Sequence, residues 1–336
     1  MQPTLHLSSS PHVFHGDSTA KIMWTVVAAL LPAAGWGVFA FGPRAGWVIA
    51  LAVGASMACE AAAQKLRGRP ITVTDGSACL TGLLLALNLP ASSPWWLVVL
   101  GAVIAIGLGK HVFGGLGQNP FNPALVARVA LLVSFPVQMT TWATGGGGLL
   151  GDAVTAATPL GLAKTAAAAG TPVGQVVADS DVWHLALGFQ GGCIGEVSAL
   201  ALLAGAAWLL WSKAITWDIP LAFVATTLAV CSVPWSVSPD QFLSPVLHLV
   251  TGGLVLGAFF MATDMVTSPL TARGRWIFGA GCGLLTAVIR LWGGYPEGVS
   301  FAILLMNACV PLIDRFTRPR KFGVVRAATA AKGGAA

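Results

Sequence analysis

Long apolar runs alternate with short polar intervals along most of this sequence. A helix that crosses a membrane needs about 20 consecutive, largely apolar residues. On that rule the pattern predicts an all-α integral membrane protein with about ten transmembrane helices. The predicted helices cover residues 22–41, 46–63, 77–89, 95–112, 124–137, 183–211, 219–233, 245–262, 276–292 and 299–313.

The longest polar interval, residues 138–182, divides the predicted helices into two sets of five. It contains a glycine run and several alanines, but no apolar run long enough to cross a membrane. A loop of this length is usually functional or disordered. The expected organisation is an N-terminal segment (1–21), a first half (22–137), the loop (138–182), a second half (183–313) and a basic tail (314–336).

The composition supports a membrane protein. Of the 336 residues, 56% are hydrophobic and 9% are charged, whereas soluble domains carry about 25% charged residues. The net charge of +6 comes from basic residues scattered over short loops and the tail, which indicates a topology signal and not a nucleic-acid surface. The six cysteines are isolated and lack the spacing of a zinc or iron–sulfur site. We therefore expect no nucleic-acid partner and no metal site.

The positions of lysine and arginine predict the orientation, because both are enriched in cytoplasmic loops. Ten helices would place the two termini on one side of the membrane. If that side is the cytoplasm, most of the 18 lysines and arginines are cytoplasmic too. The loop 138–182 then lies outside the cytoplasm. Residues 1–21 are polar, and no cleavage site follows the first apolar run, so we expect that run to remain as a helix.

Two short matches indicate an internal repeat. Thr81-Gly in the third predicted helix matches Thr251-Gly in the eighth, and Phe113-Gly-Gly-Leu after the fourth matches Trp292-Gly-Gly-Tyr after the ninth. Both matches are offset by five helices, so the two halves would have opposite orientations in the membrane. Inverted repeats of this kind place short or broken helices at the membrane midplane. Chance similarity between segments rich in glycine and leucine is the alternative.

The loop contains one polar stretch, residues 152–160, that hydrophobic patterning does not explain. Asp152, Thr155 and Thr158 lie there among small side chains. Because proline restricts the residue before it to extended conformations, Pro159 should hold Thr158 out from the backbone, where a modifying enzyme could reach its hydroxyl. On the residues alone, an ordinary loop of alanine and threonine is the better explanation.

The stretch Asp152-x-x-Thr155-x-Ala157-Thr158-Pro-Leu resembles the flavinylation motif of one membrane-protein family. That family comprises the D subunits of Rnf-type electron transport complexes and the related B subunits of the sodium-translocating NADH:quinone reductase. In the family, the last threonine carries FMN through a phosphoester bond, which a periplasmic flavin transferase makes with FAD as donor. The resemblance therefore implies a covalent FMN at Thr158. Many members have glycine at the position of Ala156, a departure that leaves the acceptor in place.

The resemblance covers nearly the whole chain, and the short N-terminal extension is closer to the D subunits. It implies a bacterial inner-membrane subunit that works with other subunits to pass electrons between reduced ferredoxin and NAD⁺ while Na⁺ or H⁺ crosses the membrane. It also implies a second, non-covalent flavin, riboflavin, in the membrane part. Four further matches support the resemblance: residues 10–23, 113–124, 194–199 and 262–269.

Polar residues at proline-containing breaks are candidates for the riboflavin site or the ion path, because broken helices expose backbone groups that need partners. Asn119 and Asn122 lie at one such break, and Asp264 lies at another with Thr267 and Ser268. Turn and cap roles explain each of them individually as well.

Glu196 lies in the middle of the predicted helix 183–211, where an ionisable group is costly and usually faces a partner or a water path. A role in the ion path and a hydrogen-bonded, protonated carboxyl explain Glu196 equally well. Glu60 lies nearer the end of its predicted helix, which indicates an interfacial position.

Three functional classes stay open on the sequence. The resemblance favours a redox subunit that is inactive alone and has no catalytic residue of its own. A secondary transporter or channel without redox chemistry would also use inverted repeats, broken helices and Glu196. A structural anchor for other subunits would carry no cofactor. The Thr158 motif separates the first class from the other two.

Overall fold

A computed structural model of the protein describes residues 18–142, 157–173, 182–188, 191–196, 198–295 and 297–318. Over these residues the secondary structure is helical, and the β-structure consists of one isolated bridge between Pro90 and Cys193. The predicted all-α class is confirmed. Of the flavinylation motif, Asp152 and Thr155 lie outside the described residues.

The part of the chain before residue 174 contains seven described α-helices and one short 3-10 helix, Val73–Asp75. Side chains cap several of them; Asn122, for example, accepts hydrogen bonds from the backbone of Ala124 and Leu125, and proline follows it at the first helical position. The helices are α1 (Thr19–Phe41), α2 (Pro43–Leu66), α3 (Ser77–Leu87), α4 (Trp95–Val103, continued by a wider π-helical turn, Ile104–His111), α5 (Pro123–Ser134), α6 (Pro136–Met139) and α7 (Pro159–Ala169).

The part of the chain after residue 181 contains seven more described helices. They are α8 (Val182–Leu187), α9 (Ala199–Trp211), α10 (Asp218–Val237), α11 (Pro245–Val250), α12 (Leu254–Leu256, continued by a π-helical turn, Gly257–Met261), α13 (Ala272–Trp292) and α14 (Val299–Phe316).

Four of the described helices, α1, α2, α10 and α14, are long and apolar enough to cross a membrane. Shorter apolar helices accompany them, among them α3, α5 and α9. Large apolar side chains point away from the protein on several of these helices, as at Trp47, Leu221 and Leu312. In water such exposure would be unfavourable, so it fits a multi-pass membrane protein with lipid around it.

Three of the predicted helices are wrong in one respect, because each is interrupted. The helix 124–137 has a one-residue break at Phe135. The helix 183–211 separates into α8 and α9, and the helix 245–262 separates into α11 and α12. Glycines lie at the last two breaks, and Gly252 adopts a left-handed φ of 72°, which other residues rarely adopt. Glu196 therefore lies in a non-helical segment and not within a helix.

Hydrogen bonds between segments define the two sides of the protein. The near side is the one on which α1 begins, where Trp24 Nε1 donates to the carbonyl of Thr74 (3.2 Å). On the far side, Arg44 at the start of α2 donates to the carbonyl of Ser92 (3.1 Å), and Ser92 Oγ donates to the carbonyl of Thr141 (2.7 Å). Because α5 precedes residue 141, it runs from the near side to the far side.

The second half follows the same two sides. Arg275 Nε lies 2.7 Å from Asp218 Oδ2, so α13 and α10 begin side by side. Ile215, just before α10, and Ile22 of α1 line one shared cleft. The beginnings of α10 and α1 therefore both lie on the near side. α13 therefore ends on the far side, and α14 returns from there.

Two non-helical segments meet inside the protein. The backbone amides of Ile194 and Gly195 donate to the carbonyls of Leu89 (3.0 Å) and Leu87 (2.8 Å). A Cβ atom on Gly195 would lie 2.6 Å from Cβ of Leu87, so only glycine permits this approach. The end of α3 and the segment before α9 thus form a buried junction, and the charged residues described next surround it.

Candidate functional site

Arg128 of α5 is the centre of a buried group of polar side chains, here called the central cluster: Asn88, Arg128, Cys193, Glu196 and Glu297. Its Nη1 donates to Oδ1 of Asn88, and its Nη2 donates to Oε1 of Glu196 (3.0 Å) and to Oε2 of Glu297. Nη2 also lies 3.7 Å from Sγ of Cys193. One guanidinium group therefore faces two carboxylates.

Helix breaks supply most of these partners. Glu196 precedes α9 and Glu297 precedes α14, while Asn88 follows the last residue of α3. Arg128 itself lies within α5. Because charged groups at membrane depth are costly and usually functional, the cluster is the strongest candidate for a site among the described residues.

Thr158 lies beside the central cluster. It caps α7, and its hydroxyl oxygen accepts a hydrogen bond from the backbone amide of Gly161 (3.1 Å). A small pocket is lined by Thr158, Glu196 and Glu297 together with Thr251 and several glycines. The structure thus brings together Thr158 and Glu196, which the sequence placed in separate roles.

The conformation of Thr158 agrees with one expectation and contradicts another. Its backbone is extended, with φ −67° and ψ 151°, as the following proline predicts. The exposed hydroxyl that we expected is absent, because the side chain is only 8% exposed. Leu160 and Ala163 of α7 pack against Leu243, and this contact draws the start of the helix inward.

Lys164 fixes α7 to the membrane-embedded part. Its ammonium group donates to the carbonyls of Ile289 (3.1 Å), Gly293 (2.5 Å) and Tyr295, which occupy the end of α13 and the turn after it. An ammonium group has three donors, and these carbonyls use all of them. Partial burial, with a contribution from Arg290, lowers the pKa of Lys164.

Arg290 organises the break between α11 and α12. It donates to the carbonyls of His248 (2.6 Å) and Thr251 (3.3 Å). The next residues of that break contact the cluster directly, since the amide of Gly253 donates to Oε1 of Glu297 (3.2 Å). The side chains of Arg290 and Lys164 therefore hold the segments that form the Thr158 pocket.

A second cavity opens on the near side. The wall of this near-side cleft is mostly apolar. Asn119, Asn122 and Asp264 line it, as do Ser77 and Lys110. The structure brings the predicted residues Asn119, Asn122 and Asp264 together here, and it places Glu196 elsewhere.

Each predicted residue of the cleft also has a local partner. Asn122 Nδ2 donates to the carbonyl of Met261 (3.3 Å), and Asn119 Nδ2 donates to the carbonyl of Phe121 (3.1 Å). Asp264 accepts from the backbone amide of Val266 (3.3 Å). The cap and turn roles weighed for these residues are therefore present, alongside their position on the cleft.

Glu60, which the sequence indicated only as a residue near the end of its helix, has buried hydrogen-bond partners. It is 2% exposed, and its Oε2 accepts a hydrogen bond from Lys110 Nζ at 2.8 Å. Lys110 also donates to Oγ of Ser77 (2.8 Å), and Gln64 Nε2 donates to Oε1 of Glu60 (3.0 Å). The π-helical turn in α4 carries Lys110 to this position, which hydropathy could not indicate.

Arg128, Glu297 and Lys110 were not predicted as site residues from the sequence. Arg128 offered a signal, because an arginine within an apolar run needs a buried acceptor. Its partner Glu297 is 169 residues away in the chain, so no local pattern could identify the pair.

Comparison with known proteins agrees with the resemblance found in the sequence. The model of the NQR2, RnfD, RnfE family matches residues 6–323. The D subunit of the proton-translocating ferredoxin:NAD(+) oxidoreductase complex of Clostridium ljungdahlii is 49% identical over 326 residues, which cover 95% of this chain and 96% of the relative.

Two further relatives have similar coverage. The D subunit of the Na(+)-translocating ferredoxin:NAD(+) oxidoreductase complex of Acetobacterium woodii is 48% identical over 330 residues, 98% of each chain. The D subunit of the ion-translocating oxidoreductase complex of Stutzerimonas stutzeri is 46% identical over 332 residues, 91% of this chain and 93% of the relative. A family match over nearly the full length, with relatives this similar, shows that the chain belongs to the NQR2, RnfD, RnfE family.

Proposed function

We propose that this protein is the D subunit of an ion-translocating electron transport complex of the ferredoxin:NAD⁺ oxidoreductase type. In this proposal it carries FMN on Thr158 as an electron relay and contributes part of the path for Na⁺ or H⁺. The names of its relatives support the complex. The structural observation that carries the proposal is the position of Thr158, at a helix N-terminus in a pocket shared with Glu196 and Glu297.

The start of α7 suits a phosphoester at Thr158, whereas the carboxylates of Glu196 and Glu297 in the same pocket would need a proton or cation to offset its negative charge. The start of a helix favours negative charge, because its first amides are free to donate and the helix dipole is positive there. Arg290 adds positive charge beside Gly252, which lines the pocket. The pocket is far smaller than a typical ligand site, so the flavin itself would lie outside it.

The chemistry of electron transfer would belong to the flavin, and the protein supplies position and environment. Thr158 fixes the point of attachment, and Lys164 holds α7 against the turn after α13. Glu196 and Glu297 line the same pocket. A proton or Na⁺ held at their oxygens would compensate negative charge added beside them. This proximity links electron transfer to a cation.

We place the proposed riboflavin in the near-side cleft. Its mostly apolar wall matches the usual character of ligand sites, which combine apolar surface with a few polar groups. Asn119 and Asn122 supply donors and acceptors suited to the polar edge of a flavin ring. The proposed ion path uses Asp264 in this cleft and Glu196 in the Thr158 pocket.

The proposed topology has ten membrane segments in two inverted halves, with interrupted helices counted as single segments. We further propose that the near side is cytoplasmic and the far side periplasmic, with the protein in the bacterial inner membrane. Thr158 would then face the compartment in which a flavin transferase works.

In-gel flavin fluorescence tests the covalent flavin. The subunit is expressed with its flavin transferase, denatured and separated by electrophoresis. Wild type should give a fluorescent band and Thr158→Val a dark one, because valine has no hydroxyl to accept the phosphoryl group. Thr165→Val is the matched control, since Thr165 lies on the same helix with an exposed hydroxyl, and its band should stay fluorescent.

A dark wild-type band, with a transferase active on another substrate, would remove the redox proposal. A secondary transporter without redox function would then be the better description, since interrupted helices around buried charges also occur in transporters.

A further inference from the structure

Two cavities approach the middle of the protein from opposite sides. The near-side cleft is lined by Asn122 and Asp264, and the far-side pocket is lined by Thr158, Glu196 and Glu297. Among the residues that the structure describes, the two cavities share no lining residue. A cation that crossed the protein along this axis would therefore have to pass through the packed region between them.

Arg128 lies between the two cavities and lines neither. It follows Asn122, the cap of α5 on the near-side cleft, by six residues, or about 9 Å along a helix. Its guanidinium group bonds to Glu196 and Glu297, which line the far-side pocket. A line from one cavity to the other therefore passes the positive charge of Arg128.

This charge is permanent and fixed in place. Arginine does not lose its proton in proteins. Bonds to Asn88, Glu196 and Glu297 hold the guanidinium group from three separate segments, and the side chain is only 7% exposed. Charges interact strongly where water is excluded, and an arginine in such a position can exclude protons and other cations from a pore.

We propose that Arg128 is an electrostatic barrier that keeps Na⁺ and H⁺ from passing between the near-side cleft and the far-side pocket. Cations then reach Glu196 and Glu297 from the far side only, and Asp264 from the near side only. The assignment of those carboxylates to an ion path rests on the proposed function, whereas the barrier does not. Ion movement along this axis requires Arg128 to leave the two glutamates.

The barrier is tested in the whole complex, purified and reconstituted into liposomes without an electron donor. A Na⁺ gradient or a pH gradient is imposed, and passive flux is followed with radioactive Na⁺ or a pH-sensitive dye. Arg128→Gln should raise the passive flux of Na⁺ or H⁺ at least about tenfold, which corresponds to about 1.4 kcal/mol of barrier. Arg128→Lys keeps the charge and should stay as tight as wild type.

Glu297→Gln is the matched control. It disrupts the same contact with Arg128 as Arg128→Gln does, but it leaves the positive charge in place, so its liposomes should stay tight. If both variants leak equally, the cluster seals the protein by packing and the proposal is overturned. If Arg128→Gln is tight, the proposal is overturned too, because the charge is then not needed.

The polypeptide composition of the purified complex and its flavin fluorescence show whether each variant has assembled. If Arg128→Gln fails to assemble, the double variant Arg128→Gln with Glu297→Gln takes its place, since it does not leave two carboxylates facing no cation. The double variant should leak, and a tight one would overturn the barrier. A dark flavin band in wild type would contradict the proposed function alone, because the flux assay requires no flavin.

Discussion

The pair of Glu60 and Lys110 and the central cluster both bury charge, but the balance of charge differs. Lys110 faces the single carboxylate of Glu60, and both belong to continuous helical segments, α2 and the π-helical turn of α4. Arg128 faces two carboxylates, which lie in non-helical segments before α9 and α14. A balanced pair, with one positive and one negative charge, fixes two helices together. An unbalanced group, with more carboxylates than cations, can gain a proton or cation.

The largest expected loss of stability comes from removing one charge of the balanced pair Glu60 and Lys110. Lys110→Met leaves Glu60 buried without its cation, which costs about 3–5 kcal/mol in comparable sites. The apparent midpoint of thermal unfolding of the detergent-solubilised complex should fall accordingly. The double variant Glu60→Leu with Lys110→Met removes both charges and should recover most of that stability. Equal losses in the single and double variants would show that packing and not charge pairing is responsible.

An intermediate loss of stability is expected at the break between α11 and α12, which contacts the central cluster. In Gly252→Ala the new Cβ would lie 2.8 Å from Oε1 of Glu297, and the backbone φ is +72°. The left-handed backbone alone costs about 1–2 kcal/mol, and the collision adds to it. Gly170→Ala is the matched control, because Gly170 has a φ of +68° and open space around it.

Thermal unfolding of the two glycine variants separates the contributions. Gly170→Ala should show the backbone cost alone, and Gly252→Ala should be clearly less stable than that. Equal unfolding midpoints would mean that the segment at Gly252 moves away from Glu297 without cost.

The smallest effect is expected when the unbalanced cluster loses one carboxylate. In Glu297→Gln, Arg128 still faces Glu196. The loss of unfolding free energy should therefore stay near the contribution of one hydrogen bond, about 1 kcal/mol. The same change in the balanced pair, Glu60→Gln, leaves Lys110 without a carboxylate and should cost several times more. Thermal unfolding of both variants side by side measures the difference. A larger loss for Glu297→Gln would contradict the contrast between the two sites.

Hydrophobic patterning predicted the continuous helices well. The predicted 22–41 and 299–313 lie within Thr19–Phe41 and Val299–Phe316. The pattern failed where a helix is interrupted at membrane depth, as near Gly252, because an average over about 19 residues does not register a break of a few residues. The same averaging assigned Glu196 to a helix.

The site could be predicted only in part. Asn119, Asn122 and Asp264 line one cleft, as the polar breaks indicated. The attachment of FMN to Thr158 stays a prediction. The partners of Arg128 and Lys110 come from distant parts of the chain, and they depend on which helices pack together. That information lies in the fold and not in any local motif.

The π-helical turn of α4 has a consequence for insertions and deletions. Within it the amide of Val112 donates to the carbonyl of Gly107, five residues earlier, so the turn holds one residue more than an α-helical turn. Removing that residue would rotate everything after it by about 100° and carry Lys110 away from Glu60. The length of the segment 104–111 is thus under a constraint as strict as its residues, and a one-residue gap there should be rarer among functional relatives than a substitution.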